Sequence, residues 1–160
     1  MSHLPFLALL AALLIPSATS AKELRVVATV PDLAAVATAV GGDDVTVTAM
    51  ALATQDPHFV DAKPSLALAL SRADLLLLVG LDLEIGWLPT LLTGSRNPRV
   101  QLGTAGYLDC STLVQVLDKP VGPIDRSMGD VHSGGNPPHL FDPRRAEQVA
   151  LGVAARMAEL

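Results

Sequence analysis

Asp74-Leu-Leu-Leu-Leu-Val-Gly80 lies near the middle of the chain. Four consecutive leucines and a valine, ended by glycine, make an apolar run of strand length. Such a run suits a parallel strand covered on both faces, where every side chain is buried and no alternation is needed. Working back from it, Pro64 opens a helix with Leu66, Ala69, Leu70 and Ala73 on one stripe. Before that, Val45, Val47 and Ala49 alternate with Thr46 and Thr48, the period of a strand with one polar face. Leu33, Val36, Ala37 and Val40 recur at helical spacing after Pro31, and Gly41-Gly42 supplies a stop. Leu24 to Val30 (LRVVATV) is β-branched and apolar, as a buried strand requires. Downstream, the residues predict a short helix around Trp87 to Leu92 and a strand near Arg99 to Leu102. About four β elements alternating with helices define an α/β fold, a parallel sheet with flanking helices.

The remaining chain divides into three parts. Residues 103–141 lose periodicity and gather Gly, Pro, Asp and Ser, so a long loop is expected there, and a loop of that length is ordinarily functional. Asp142-Pro143 is an N-cap followed by Pro at the first helical position. Ala146, Val149, Ala150, Val153, Met157 and Leu160 then form a stripe that reaches the last residue without a stop signal. The expectation is the start of a longer helix, truncated here, with its packing partner further along the chain. At the other end, the first 21 residues lack Asp, Glu, Lys and Arg, and Leu4 to Pro16 is a 13-residue apolar run. That is too short to span a bilayer as a helix. Followed by Ser17, Ala18, Thr19, Ser20 and Ala21, it reads as a signal peptide cleaved near Ala21. The expected organisation is a signal peptide over 1–21, an α/β lobe over 22–141 and the start of an interlobe helix over 142–160, in an exported, soluble chain.

Composition removes other classes. The chain has 160 residues, half of them apolar and 17% charged, which argues against disorder as its main state. A formal charge of −5 leaves no basic patch for phosphate binding, so nucleic acid is excluded as a partner. With Cys110 as the one cysteine, neither an internal disulfide nor a cysteine-rich zinc site can form.

The chemistry rests on histidines in loops. His58 follows the strand Val45 to Ala49 in a loop stiffened by Pro57 and Pro64 (TQDPHFVDAKPS), and parallel α/β sheets hold ligands in loops at the carboxyl ends of their strands. A lone loop histidine is ordinarily a solvated side chain, so His58 gains weight from a second cluster. Asp130, His132, His139 and Asp142 fall within 13 residues of a Gly/Pro-rich stretch and offer N and O donors suited to Zn²⁺ or Mn²⁺. Asp142 reads better as the helix cap.

Several motifs occur in a recognisable order: Thr54-Gln-Asp-Pro-His58, Lys63-Pro64-Ser65, Arg72-Ala-Asp-Leu, Val79-Gly-Leu-Asp-Leu-Glu84, Gly129-Asp-Val-His132 and Gly135-Asn-Pro. Together, over about residues 24–160, they resemble the zinc/manganese-type substrate-binding proteins of bacterial ABC transporters. The resemblance implies two α/β lobes joined by a long helix, with a transition metal held between them and delivered to a membrane permease. This chain corresponds to the N-terminal lobe and the start of the linking helix. The family's first ligand, the His of its Asp-Pro-His motif, falls on His58, and its third and fourth ligands belong to the second lobe.

The second ligand is where this sequence departs. The family's Asn-Pro-His reads here as Asn136-Pro137-Pro138-His139. In ungapped register Pro138 takes the ligand position, and a proline has no side-chain donor. Three readings stay open: the loop absorbs a one-residue slip and His139 serves, His132 substitutes, or the site binds metal poorly. The metal ligands expected are therefore His58 with His139 or His132. The resemblance implies a periplasmic, monomeric, non-enzymatic protein with Zn²⁺ or Mn²⁺ as transported ligand and an ABC permease as partner. The alternative classes are a metallophosphoesterase-like hydrolase, faintly echoed by Asp130-Val-His132 and Asn136 to His139, and an inactive fragment of a binding protein. The hydrolase elements would come from successive strands, and here one loop holds both.

Overall fold

The structure, a computed structural model, describes residues 23–122, 131–137 and 139–160. Four strands, β1 (Leu24–Ala28), β2 (Val45–Ala49), β3 (Leu75–Leu78) and β4 (Tyr107–Asp109), form one parallel sheet in the order β2-β1-β3-β4. Helix α1 (Pro31–Gly41) connects β1 to β2, α2 (Pro64–Arg72) connects β2 to β3, and α3 (Leu88–Ser95) lies between β3 and β4. Helix α4 (Pro143–Glu159) follows the long excursion. The expected α/β class, with flanking helices and a final helix, is what forms. Among the described residues no helix is long and apolar enough to cross a membrane.

The leucine run explains the layering. All four side chains of β3 are buried. Leu75 and Leu77 point to one face and join Val26, Ala28, Leu33 and Ala37 with Val149 and Val153 of α4. Leu76 and Leu78 point to the other and join Val27, Leu70, Ala73, Trp87, Leu88, Leu91 and Val100. Because successive strand residues alternate faces, one run supplies two cores, with α1 and α4 covering one and α2 and α3 the other. Each buried leucine contributes about 1.5–3 kcal/mol relative to exposure. By contrast, the edge strand β2 alternates half-buried valines with exposed threonines, as its sequence period requires.

Local signals end the elements. All four helices carry Pro in the first turn, where its missing N–H costs nothing. Gly42, at φ 53°, stops α1 in the left-handed region. At α4, Asp142 accepts from the Arg144 N–H at 3.0 Å, so its capping role is realised.

One predicted strand is not a strand. Arg99 to Leu102 does not pair: Pro98–Val100 is a 3-10 turn, and the fourth strand lies at Tyr107–Asp109, inside the segment that the sequence predicts as loop. Asn97 diverts the chain. Its Oδ1 accepts from the Arg99 N–H, while its amide donates to the carbonyls of Leu70 and Ala73 at 2.8 and 2.7 Å, pinning the turn to the end of α2. Pro98 has no N–H to give a ladder. Val100 still reaches the core, which is why the segment reads as buried strand. Gly106 then lets the chain pass so close to Arg99 and Asp74 that a Cβ there would stand 2.4 and 2.5 Å from their carbonyl oxygens.

Chain order decides where a crevice opens. From β1 the chain moves outward to β2, then returns across β1 to β3 and on to β4, so connections leave β1 and β3 in opposite directions. That reversal is the topological switch point at which open α/β sheets hold ligands.

Candidate metal centre

At the carboxyl end of the switch point lies a cavity of about 500 Å³, walled by Val30 after β1, Ala51 and Leu52 after β2, and Val79 and Leu83 after β3. His58 and His132 line it, with Gln55, Asn136 and Asp32 as further polar groups. The walls are mainly apolar, the usual make-up of a small-ligand site.

The β2–α2 loop shapes His58. Asp56 Oδ1 accepts both the backbone N–H of His58, at 2.9 Å, and its ring Nδ1, at 2.7 Å. The first of these closes a turn of the type Asp favours two residues on. The His58 backbone N–H, and then its ring, hold the Asp56 carboxyl below the ordinary value. A carboxylate only accepts, so Nδ1 carries the proton and Nε2 is left with its lone pair facing the cavity. Metal-ligating histidines are commonly oriented in this way, by a hydrogen bond from the ring nitrogen that does not face the ion.

Nε2 of His132 stands 3.0 Å from Nε2 of His58. The rings are stacked, with centroids 5.2 Å apart and planes 24° from parallel. Seventy-four positions separate the two residues, and the fold brings them together. The side chain of His139, and Asp130 and Pro138, lie outside the described residues; the His139 backbone belongs to a 3-10 turn, His139–Phe141. Among the described residues no group of three or more His, Cys, Asp or Glu side chains converges to hold an ion, so two imidazoles are the described nitrogen donors.

Three supporting residues were not singled out as site residues from sequence. Asp56 stands in the quoted Asp-Pro-His motif, and its offset of two before His58 is the one local signal. Trp87, read as helix, donates its indole N–H to the Pro57 carbonyl at 2.9 Å. Glu84 is buried beneath the site. Its Oε1 accepts from Thr29 Oγ1 at 2.6 Å and the Val79 N–H at 2.8 Å, and its Oε2 from the Gly80 N–H at 3.2 Å. Burial outweighs these three bonds and pushes its carboxyl up from the ordinary range.

An open parallel sheet with two facing imidazoles at its switch point defines the class: an α/β lobe with a candidate metal pocket. The family described as zinc-uptake complex component A, periplasmic (ZnuA), matches residues 26–160, and the chain belongs to it. This bears out the resemblance carried by the motifs. A zinc-bound ZnuA deletion mutant is similar in structure, with a TM-score of 0.68 and 24% identity over 86% of this chain and 47% of that one. Zn(II)-bound AdcA from Streptococcus pneumoniae follows at TM-score 0.63 and 19% identity, covering 86% of this chain and 26% of that. A Mn-bound periplasmic metal binding protein from Candidatus Liberibacter asiaticus has a TM-score of 0.55 and 23% identity, covering 83% of this chain and 46% of that. These likenesses establish the fold, and the chain spans less than half the length of each. No curated protein matches it in sequence.

Proposed function

We propose that this chain is the first lobe of an exported solute-binding protein that captures a divalent transition metal, Zn²⁺ or Mn²⁺, for an ABC importer. Its work is reversible capture without catalysis. The observation that carries the reading is the 3.0 Å approach of His58 Nε2 and His132 Nε2 across an apolar-walled cavity. Two imidazole nitrogens on one zinc, each at 2.0–2.1 Å, stand about 3.3 Å apart at the tetrahedral angle. An ion is therefore admitted by a small separation of rings already facing each other. The hydrogen bond between them is exchanged for two bonds to the cation, and the proton on His132 Nε2 moves to Nδ1 of the same ring, so that His132 ligates as a neutral imidazole.

Asp56 gives His58 its orientation and places negative charge behind the ring. Two nitrogen donors leave further coordination positions for water, for His139 or for donors from a second lobe, which the family's architecture implies. His58 and His132 are the pair we assign, with His139 as the competing second donor. Family membership and the charge-free leader support a periplasmic location, with an ABC permease as the partner that receives the metal.

Titration of the whole chain with zinc by calorimetry tests this. His58→Ala and His132→Ala should each lower affinity at least tenfold, the lower end of what loss of a mere orienting partner costs, while His139→Ala changes it less than about twofold. Loss confined to His58→Ala and His139→Ala would transfer the second ligand to His139. Unchanged binding in all three variants, or turnover of a phosphodiester by the zinc-loaded chain, would overturn the reading.

A further inference from the structure

One segment touches both histidine loops. On one side, Trp87 is buried against the sheet and its indole N–H holds the Pro57 carbonyl, one residue before His58. Gly86 lies against the same loop, with room for a Cβ 3.6 Å from the His58 carbonyl. On the other side, Gly80, Leu81 and Asp82 take successive φ values of 85°, 55° and 66°, three left-handed residues in a row. Leucine is costly there, at roughly 1–2 kcal/mol for an L-residue in that region. The turn is nevertheless held, because Glu84 gathers the N–H groups of Val79 and Gly80, and Leu83 donates to the Gly80 carbonyl.

What the left-handed turn presents is a seat for residues 132–135. Ser133 donates to Asp82 Oδ2 at 3.3 Å. Gly134 lies so close to Leu81 that a Cβ there would stand 2.9 Å from its Cδ2. The loop closes on itself through the Gly135 N–H and the His132 carbonyl, and Asn136 donates to the Leu117 carbonyl on its far side. His132 is therefore carried on a loop clamped between Leu81 and Leu117.

We infer that the segment Gly80–Trp87 is the positioning element of the histidine pair, with Trp87 fixing the height of His58 and the left-handed turn Gly80–Asp82 fixing that of His132. The inference rests on the reading of the pair as metal donors. Neither Trp87 nor Leu81 lines the cavity; each acts through a histidine loop.

Two variants separate positioning from mere stability. Trp87→Phe keeps an aromatic ring in the core and deletes the N–H, and Gly134→Val pushes the His132 loop off Leu81. In calorimetric zinc titrations of the whole chain, each should weaken binding about tenfold, the order expected for loss of a group that orients a ligand. Trp87→Phe should change affinity less than about twofold once His58→Ala is present, and Gly134→Val likewise once His132→Ala is present, because each acts only through its own histidine. In the metal-free chain, the NMR cross-peak between the two imidazole rings should be lost in both variants. A Trp87→Phe chain that melts earlier yet keeps the cross-peak and its zinc affinity would show a purely structural tryptophan and overturn the inference. If His58→Ala and His132→Ala leave zinc binding unchanged, the metal reading falls, and the ring cross-peak alone then decides positioning: its persistence in both variants overturns it, its loss upholds it.

Discussion

Glu84 offers the sharpest test of how the site is held, because its three donors are all identified and it is 3% exposed. In Glu84→Gln, the amide oxygen takes the place of Oε1 and keeps the bonds from Thr29 and Val79. The amide nitrogen then faces the Gly80 N–H, donor against donor. One buried donor left unpaired costs about 1–3 kcal/mol. Glu84→Ala orphans all three and adds a cavity, so its loss should be about 3 kcal/mol or more. For a chain of this size 1 kcal/mol moves Tm by roughly 4 °C. Thermal melts at neutral pH should therefore rank both wild type and Gln above Ala, with Ala at least about 10 °C below wild type. The sign of the pH dependence follows from burial. The folded-state carboxyl titrates above its ordinary value near 4.5, so folding takes up a proton in that window. The associated stability is complete below the unfolded value and is lost as pH rises through the raised one. Glu84→Gln should flatten this part of the curve. Equal Tm values for wild type and Ala, or an undiminished pH slope in Gln, would refute the assignment of Glu84 as the acceptor that holds the end of β3.

Asn97→Ala should destabilise by about 2–4 kcal/mol, since it leaves the carbonyls of Leu70 and Ala73 without their amide donors in a buried setting; a denaturant midpoint within error of wild type would remove Asn97 as the cause of the 3-10 turn. Expressed in a Gram-negative host, the chain should be recovered from the periplasm with an N-terminus within two residues of Lys22 by mass spectrometry, and a membrane-bound form retaining Met1 would reject the leader.

The extent to which the sequence is legible differs between the sheet and the site. Strand β3 is readable because four leucines admit one burial pattern, and α1 and α2 because Pro and Gly punctuate an apolar stripe. At Arg99 to Leu102 burial does not imply pairing: Val100 is buried, but the turn depends on Asn97 reaching carbonyls more than 20 positions earlier. Such a bond leaves no local pattern. His58 is legible from its loop and motif, and Asp56 is within two residues of it. His132 is legible as one candidate donor among others, because nothing in residues 129–137 states what lies opposite.

What the sequence determined by itself was therefore the alternation of strands and helices, the sheet's parallel character and the loop in which a donor would sit, all properties of residues within one or two turns of each other. The tertiary structure decided that β1 and β3 adjoin at the switch point, that Trp87 and a left-handed turn seat two loops, and that two imidazoles 74 positions apart meet at 3.0 Å. The reason is the range of the forces involved. Periodicity and capping act along the chain, whereas a hydrogen bond or a close contact between loops exists only after burial of the apolar core has brought distant segments into register.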